Sequence, residues 1–124
     1  MGKGLKRILS VDDSKDVGRL IHQMIRDKNV DLFTAYSGKE AMDIMNKNDI
    51  DAVLLDINMP EESGIEVLRH IRESGFDTKV IMLTARNDRE TVLDCYFEKA
   101  DDFLLKPIKK QNLIDKLDGV LGEL

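Results

Sequence analysis

The 124-residue sequence has no long apolar segment, a single cysteine and no surplus of positive charge. No apolar run approaches the roughly 18 residues that a membrane-spanning helix needs, and the N-terminal segment contains no apolar signal sequence. Lys6 also breaks the pattern for lipidation of Gly2, which requires Ser or Thr at that position. These absences predict a soluble, cytoplasmic protein that does not associate with a membrane.

The cysteine count and the charge balance exclude two further classes of site. Cys95 has no second thiol with which to form a disulfide or a zinc site, so we expect it to be a buried packing residue. The formal net charge of -5 argues against nucleic acid as a partner, because binding to a phosphate backbone depends on clustered Lys and Arg. We therefore expect no direct nucleic-acid binding.

Short apolar runs alternate with amphipathic segments along the whole chain. Five apolar runs have the length of buried strands, and they cover residues 8–11, 32–35, 52–55, 80–83 and 103–105. In the first intervening segment the apolar residues recur at helical spacing, namely Val17, Leu20, Ile21, Met24 and Ile25. Similar spacing predicts helices at residues 38–47, 64–73 and 89–98 and in a last segment with Leu113, Leu117, Val120 and Leu121.

Strands that alternate with helices in this way predict an α/β fold, a single doubly wound five-stranded parallel sheet with five helices on both faces. The length fits one domain covering residues 1–124. The run at 32–35 ends in Tyr36-Ser37-Gly38 without an acid or a lysine, as expected of an edge strand away from a ligand site. We therefore predict the strand order 2-1-3-4-5, in which strand 2 is at the edge and strands 1 and 3 are adjacent.

The other four runs end at acidic, hydroxyl or basic residues, which are Asp12, Asp13, Asp56, Thr84 and Lys106. Because the carboxyl ends of parallel strands line one crevice, we expect these side chains to converge. Three converging carboxylates repel each other unless a divalent cation lies between them. Oxygen donors without His or Cys favour Mg²⁺, which commonly shares its coordination shell with a phosphate.

These residue types together can transfer a phosphoryl group. With a cation in place, Asp56 can act as a nucleophile on phosphorus, while Lys106 neutralises charge on the transferring oxygens and Thr84 donates its hydroxyl to one of them. Each residue taken singly gives weak support, since aspartate commonly starts turns and threonine commonly caps helices. Their joint occurrence at four strand ends is what favours a phosphate-handling site.

With these residues in this order, nearly the whole chain resembles the receiver domain of bacterial two-component response regulators. The matching motifs are Asp12-Asp13 for the acidic pair, Asp56 in Leu-Leu-Asp-Ile-Asn-Met-Pro for the phosphoacceptor, Thr84-Ala85 for the switch hydroxyl and Lys106-Pro107 for the invariant lysine. The resemblance implies a phosphorylation-activated signalling domain that accepts a phosphoryl group from a sensor histidine kinase in a Mg²⁺-dependent reaction. It implies self-catalysed phosphorylation and dephosphorylation, and not an enzyme with a separate substrate.

The resemblance also implies finer roles around the phosphoacceptor. Asp13, Asp56 and the backbone carbonyl of Asn58 would hold Mg²⁺, for which Mn²⁺ can substitute, and Asp12 would act on the ion through water. Asn58 and Arg86 match positions that tune the lifetime of the acyl phosphate. The resemblance therefore implies that the metal ligands and the tuning residues lie in one crevice.

A conformational switch is implied as well, in which Thr84 moves toward the phosphoryl group and Phe103 turns inward. The signal would leave to a downstream protein through the face of the fourth helix, the last strand and the last helix. The Lys106-Pro107 bond is expected to be cis, a form available to X-Pro bonds. One departure from the family pattern is Lys99, where glycine is usual. Because lysine is strained at positive φ, we expect the end of the fourth helix to be rebuilt.

Two other classes of function remain open. A haloacid-dehalogenase-type phosphatase also combines an aspartate nucleophile with Thr or Ser, Lys and Mg²⁺, but its general acid is a second aspartate two positions on, where this chain has Asn58. A receiver-shaped adaptor would bind partners without phosphorylation, but degenerate versions usually lose acidic or lysine positions that are all present here. We therefore prefer the phosphorylation-controlled switch.

Overall fold

Five strands alternate with five helices in the computed structural model, which describes residues 4–85, 89–122 and 124. The strands are β1 (Lys6–Val11), β2 (Val30–Ala35), β3 (Ala52–Asp56), β4 (Lys79–Thr84) and β5 (Asp102–Leu105). The helices are α1 (Lys15–Ile25), α2 (Gly38–Lys47), α3 (Gly64–Glu73), α4 (Arg89–Phe97) and α5 (Lys110–Leu121). Every predicted apolar run lies within a strand. Across the described ranges, no helix has the length and apolarity that a membrane span requires.

The strands form one parallel sheet in the order β2-β1-β3-β4-β5, which confirms the predicted topology. β1 pairs with both β2 and β3, so it lies inside the sheet although it comes first in the chain. Asp56 at the end of β3 is in register with Leu83 of β4, and Thr84 is in register with Leu105 of β5. The carboxyl ends of these strands therefore reach the same edge of the sheet.

The sheet separates two apolar clusters, because successive strand residues point to opposite faces. In β3, Val53 and Leu55 belong to the cluster that includes residues of α2, α3 and α4, whereas Ala52 and Leu54 belong to the cluster that includes residues of α1 and α5. All four side chains are fully buried. Burial on both faces explains why the strand runs are continuously apolar and do not alternate with polar residues.

Helix α4 buries little of its surface. Cys95 is its one buried residue, as expected of a packing cysteine. Leu93, Tyr96 and Phe97 are exposed, and Phe97 has the largest exposed fraction of the three, 85%. The helix therefore contacts the core through few side chains and presents several apolar ones to solvent.

The expectation that the end of α4 is rebuilt around Lys99 is wrong. Lys99 adopts a φ of 71°, in the region that glycine favours. Its N–H donates to the Tyr96 carbonyl at 2.9 Å, and the N–H of Ala100 donates to the Cys95 carbonyl at 2.9 Å, which is the usual pattern of a glycine-ended helix. Arg72 of α3 donates to the Lys99 carbonyl from Nε at 3.0 Å and from Nη2 at 2.9 Å. These contacts hold the lysine in the left-handed conformation.

Candidate functional site

The carboxyl edge of the sheet carries most of the buried polar side chains. In the part of the chain that the structure describes, the buried polar residues are Ser10, Asp12, Asp56 and Thr84. Three of them are predicted site residues, and each ends a strand or directly follows one. Because a buried carboxylate without partners is costly, Asp12 and Asp56 need neighbours that balance their charge.

Asp12, Asp13 and Asp56 form an acidic cluster in which each residue offers a carboxylate oxygen within 4.8 Å of the others. Asp12 and Asp56 are buried and Asp13 is exposed, so the cluster is open to solvent on the Asp13 side. Two backbone N–H groups orient the buried carboxylates, since Ser14 donates to Asp12 Oδ1 at 2.9 Å and Asn58 donates to Asp56 Oδ1 at 3.3 Å. An all-oxygen cluster of this size matches the donor set that Mg²⁺ prefers.

Lys106 connects the acidic cluster to the end of β5. Its Nζ donates to Asp12 Oδ2 at 3.2 Å and to Asp56 Oδ1 at 3.1 Å. Its backbone N–H donates to the Thr84 carbonyl at 2.8 Å. The bond between Lys106 and Pro107 is cis, which confirms the expectation from the sequence. The lysine therefore contacts two carboxylates with its side chain and β4 with its backbone.

One ammonium group faces three carboxylates at this site. Burial raises the pKa of Asp56 above its ordinary value of 3.8, the hydrogen bond from Lys106 offsets part of that rise, and the charge of Asp12 adds to it. Burial by itself lowers the pKa of Lys106, but its contacts with the two carboxylates outweigh burial and raise the pKa overall. Lys106 therefore stays charged, and the negative charge that remains on the cluster can be balanced by a divalent cation.

Gly64 packs against the backbone of the site, although no sequence pattern singled it out. It is the first residue of α3, and its N–H donates to the Ile57 carbonyl at 2.8 Å. A Cβ at this position would lie 2.8 Å from both the carbonyl carbon of Asp56 and the Cα of Ile57, which is closer than packing allows. The available signal was Ser63, an N-cap residue followed directly by a glycine at a helical position, where glycine is unfavourable unless it is needed for space.

The remaining predicted residues lie around the acidic cluster. Thr84 is 1% exposed and ends β4, the strand that pairs with the one ending in Asp56. Asn58 is exposed. Phe103 is half-buried and lies between Tyr96 of α4 and the lysine side chain at position 116 of α5. Arg86 lies outside the described residues. The structure thus brings the three aspartates and Lys106 together, with Thr84 on the adjoining strand.

The family model described as the response regulator receiver domain matches residues 8–118. The chain belongs to this family. The receiver domain is 33% identical to the transcriptional regulatory protein CpxR of Escherichia coli, over 94% of this chain and 50% of CpxR. It is 30% identical to the cell cycle transcriptional regulator CtrA of Caulobacter vibrioides, over 93% of this chain and 50% of CtrA. The chain therefore spans about half the length of the curated relatives it matches.

Solved structures give the same result for the fold. The Vibrio cholerae chemotaxis protein CheY4 superposes with a TM-score of 0.91 at 28% identity, covering 95% of this chain and all of CheY4. The BeF3-activated DrrB receiver domain superposes with a TM-score of 0.84 at 28% identity, covering 94% of this chain and 97% of that one. These likenesses confirm the predicted doubly wound fold.

Membership in the family also fixes the general class of function. Receiver domains are phosphorylation-dependent signalling domains of two-component systems, not classical enzymes. They bind Mg²⁺ at an acidic pocket, and this chain has an acidic group of Asp12, Asp13 and Asp56.

Proposed function

We propose that this receiver domain accepts a phosphoryl group on Asp56 from a sensor histidine kinase and then changes a protein-interaction surface. The observation that carries the proposal is the position of Lys106 Nζ, which donates to both Asp12 and Asp56 beside the acidic cluster. A carboxylate that is buried, next to an ammonium group and close to a solvent-open acidic cluster suits attack on a charged phosphodonor.

The proposed metal ligands are Asp13, Asp56 and the backbone carbonyl of Asn58, with Asp12 acting through water. The fit rests on donor chemistry, since the cluster offers three carboxylate oxygens within 4.8 Å of one another and one ammonium group does not balance their charge. Mg²⁺ is the expected ion and Mn²⁺ a substitute, because both accept oxygen ligands. When bound, the ion neutralises the carboxylates and the phosphoryl oxygens.

The side chains of the site would carry out the transfer itself. A carboxylate oxygen of Asp56 attacks phosphorus, the bond from phosphorus to the leaving group of the donor breaks, and an acyl phosphate forms. Lys106 Nζ, which donates to Asp56 before the transfer, then donates to a phosphoryl oxygen. The Thr84 hydroxyl donates to another phosphoryl oxygen, and charge-assisted hydrogen bonds of this kind are strong. Water later hydrolyses the acyl phosphate, and we propose that Asn58 and Arg86 tune the rate of that attack.

The proposed output face consists of α4, β5 and α5. When Thr84 moves toward the phosphoryl group, Phe103 would turn inward and alter this face. Leu93 and Tyr96 of α4 and Leu105 of β5 are exposed. Exposed apolar side chains that are grouped on one face mark protein-interaction sites, so a downstream protein is the proposed partner.

We further propose that residues 1–124 form one receiver domain that acts in the cytoplasm and does not itself bind nucleic acid. The net charge of -5 supports the last point, because a phosphate backbone repels an acidic surface. CpxR and CtrA are named as transcriptional regulators. In a protein of that kind, contacts with DNA would come from a part other than the receiver domain.

Intact-mass spectrometry after incubation with acetyl phosphate and Mg²⁺ tests the phosphoacceptor. We expect a single adduct of about 80 Da on the wild type, none on Asp56→Asn, and none on the wild type when EDTA replaces Mg²⁺. Asp43→Asn is a matched control, since Asp43 is an exposed aspartate of α2, and it should be labelled like the wild type. Equal labelling of Asp56→Asn and the wild type would refute the assignment.

The same proteins separate the two alternative functions. Multiple turnover of a simple phosphomonoester by the wild type would favour the phosphatase. Partner binding that is identical for the wild type and Asp56→Ala, with and without acetyl phosphate, would favour the adaptor. The proposed switch instead requires that acetyl phosphate change partner binding by the wild type and leave binding by Asp56→Ala unchanged.

A further inference from the structure

We infer that Lys116 of α5 is a positioning residue that holds Phe103 in its half-buried resting position and thereby sets how often the unphosphorylated domain adopts its active conformation. The inference rests on the proposed function, in which Phe103 turns inward on activation. It assigns to α5 a role in the resting state, in addition to a place in the output face.

Two side chains contact the Phe103 ring from the neighbouring helices. Tyr96 of α4 packs edge-on against it, with ring centroids 6.2 Å apart and an angle of 78° between the ring planes. Lys116 Nζ lies 5.9 Å from the ring centroid on the α5 side. Both distances lie within the ranges over which aromatic pairs and cation–π pairs attract. The ring is therefore held between α4 and α5.

Asp102, the residue before Phe103, joins these contacts into one cluster. Its Oδ1 accepts hydrogen bonds from Lys116 Nζ at 3.0 Å and from the Tyr96 hydroxyl at 3.5 Å. The same oxygen accepts the backbone N–H of Phe103 at 2.8 Å. One carboxylate oxygen thus anchors both side chains that contact the ring. We call Tyr96, Asp102 and Lys116 the Phe103 latch.

Phe103 also packs against the apolar cluster that includes residues of α2, α3 and α4. Turning further inward would move its ring away from the Tyr96 ring and the Lys116 ammonium group. The latch therefore stabilises the resting conformation relative to the active one. A ligand that binds only the active conformation has an apparent Kd equal to its intrinsic Kd divided by the active fraction. Loss of a partly exposed cation–π contact should raise that fraction, and lower the apparent Kd, by about two- to fivefold.

Fluoroberyllate with Mg²⁺, a phosphoryl analogue, serves as the probe, and calorimetric titration gives the apparent Kd. Lys116→Met should bind about two- to fivefold more tightly than the wild type. Lys116→Arg keeps the charge over the ring and should bind like the wild type. Lys110→Met is the matched control, because it removes the same charge from the same helix at a lysine that pairs with Asp27, and it should also bind like the wild type.

Two further variants test whether the effect passes through the ring. Asp102→Asn, which weakens the anchor of Lys116, should also tighten fluoroberyllate binding. In a Phe103→Leu background, Lys116→Met should have no effect, because the ring that it contacts is gone. The latch would be overturned, and the proposed function left intact, by either of two results. One is unchanged fluoroberyllate affinity in both Lys116→Met and Asp102→Asn. The other is that Lys116→Met tightens binding as much in the Phe103→Leu background as in the wild type. A wild type that binds no fluoroberyllate would overturn the proposed function and the latch together.

Discussion

Replacing Lys99 with glycine should stabilise the fold. In the described part of the chain, Lys99 is the non-glycine residue with a positive φ, at 71°. An L-residue in the left-handed region costs about 1–2 kcal/mol, whereas the greater freedom of glycine in the unfolded chain costs about 0.4–1 kcal/mol. The difference is a gain of about 0.5–1 kcal/mol in the free energy of unfolding. The hydrogen bonds at this helix end should persist, because on the Lys99 side they use only backbone atoms.

Equilibrium unfolding in urea, followed by circular dichroism, measures this change. We expect Lys99→Gly to raise the midpoint at an unchanged slope. Lys47→Gly is the matched control, because Lys47 is an exposed lysine in the last turn of α2. There the same replacement should lower the free energy of unfolding by about 0.5–1 kcal/mol. If Lys99→Gly loses as much stability as Lys47→Gly, the lysine is not strained and the reasoning fails.

Three further replacements test the contacts of the fold and the site. Arg72→Met should lower the free energy of unfolding, measured in urea titrations, by about 2–3 kcal/mol. The reason is the loss of five guanidinium hydrogen bonds to three carbonyls and a carboxylate. Arg72→Lys should retain only part of this stability. Gly64→Ala should slow acetyl phosphate labelling of Asp56, measured by intact mass, whereas Gly119→Ala, where an added Cβ meets no atom within 4 Å, should not. In EDTA at neutral pH, Asp56→Asn should unfold at higher urea than the wild type. The raised pKa of Asp56 means that the stability present below pH 3.8 is lost as pH rises through the folded-state pKa. The difference in urea midpoint between Asp56→Asn and the wild type should shrink at low pH and with Mg²⁺. If Asp56→Asn is less stable than the wild type in EDTA, burial of the charged Asp56 carboxylate is not what destabilises the fold.

The strands and the acidic cluster could be predicted because each depends on a local pattern. A parallel strand buried on both faces requires a continuous apolar run, so Ala52 to Leu55 identify β3 without any alternation. A polar residue that directly follows such a run lies at the carboxyl edge of the sheet, so the position of Asp56 after β3 residues 52–55 places it there. Lys106 and Asp12 are 94 positions apart in the sequence and in contact in the structure. Their proximity can be expected only when the predicted strand order is combined with the residue types at the strand ends.

The conformation of Lys99 after α4 and the close packing of Gly64 at the start of α3 could not be predicted, because both depend on contacts that form only in the folded chain. The local cost of a lysine at positive φ suggested a rebuilt helix end. The Lys99 conformation is instead supported by Arg72, 27 positions away, and no spacing rule connects an arginine of α3 to a carbonyl after α4. Gly64 is required by the backbone of Asp56, whose approach to α3 becomes visible only when the chain is folded.

Strand β5 runs from the site to the proposed output face, so it places the Phe103 latch and the proposed phosphorylation site on the same strand. Lys106 follows the strand and contacts Asp56, whereas Phe103 lies three residues earlier and contacts the latch. The backbone bond from Lys106 to the Thr84 carbonyl couples the two residues that would contact the phosphoryl group. A change at Asp56 that draws Lys106 and Thr84 inward therefore acts on the strand that carries Phe103. The fraction of active conformation depends on this movement and on the contacts of Phe103 with Lys116. A replacement at Lys116 can therefore change the active fraction while the acidic cluster stays intact.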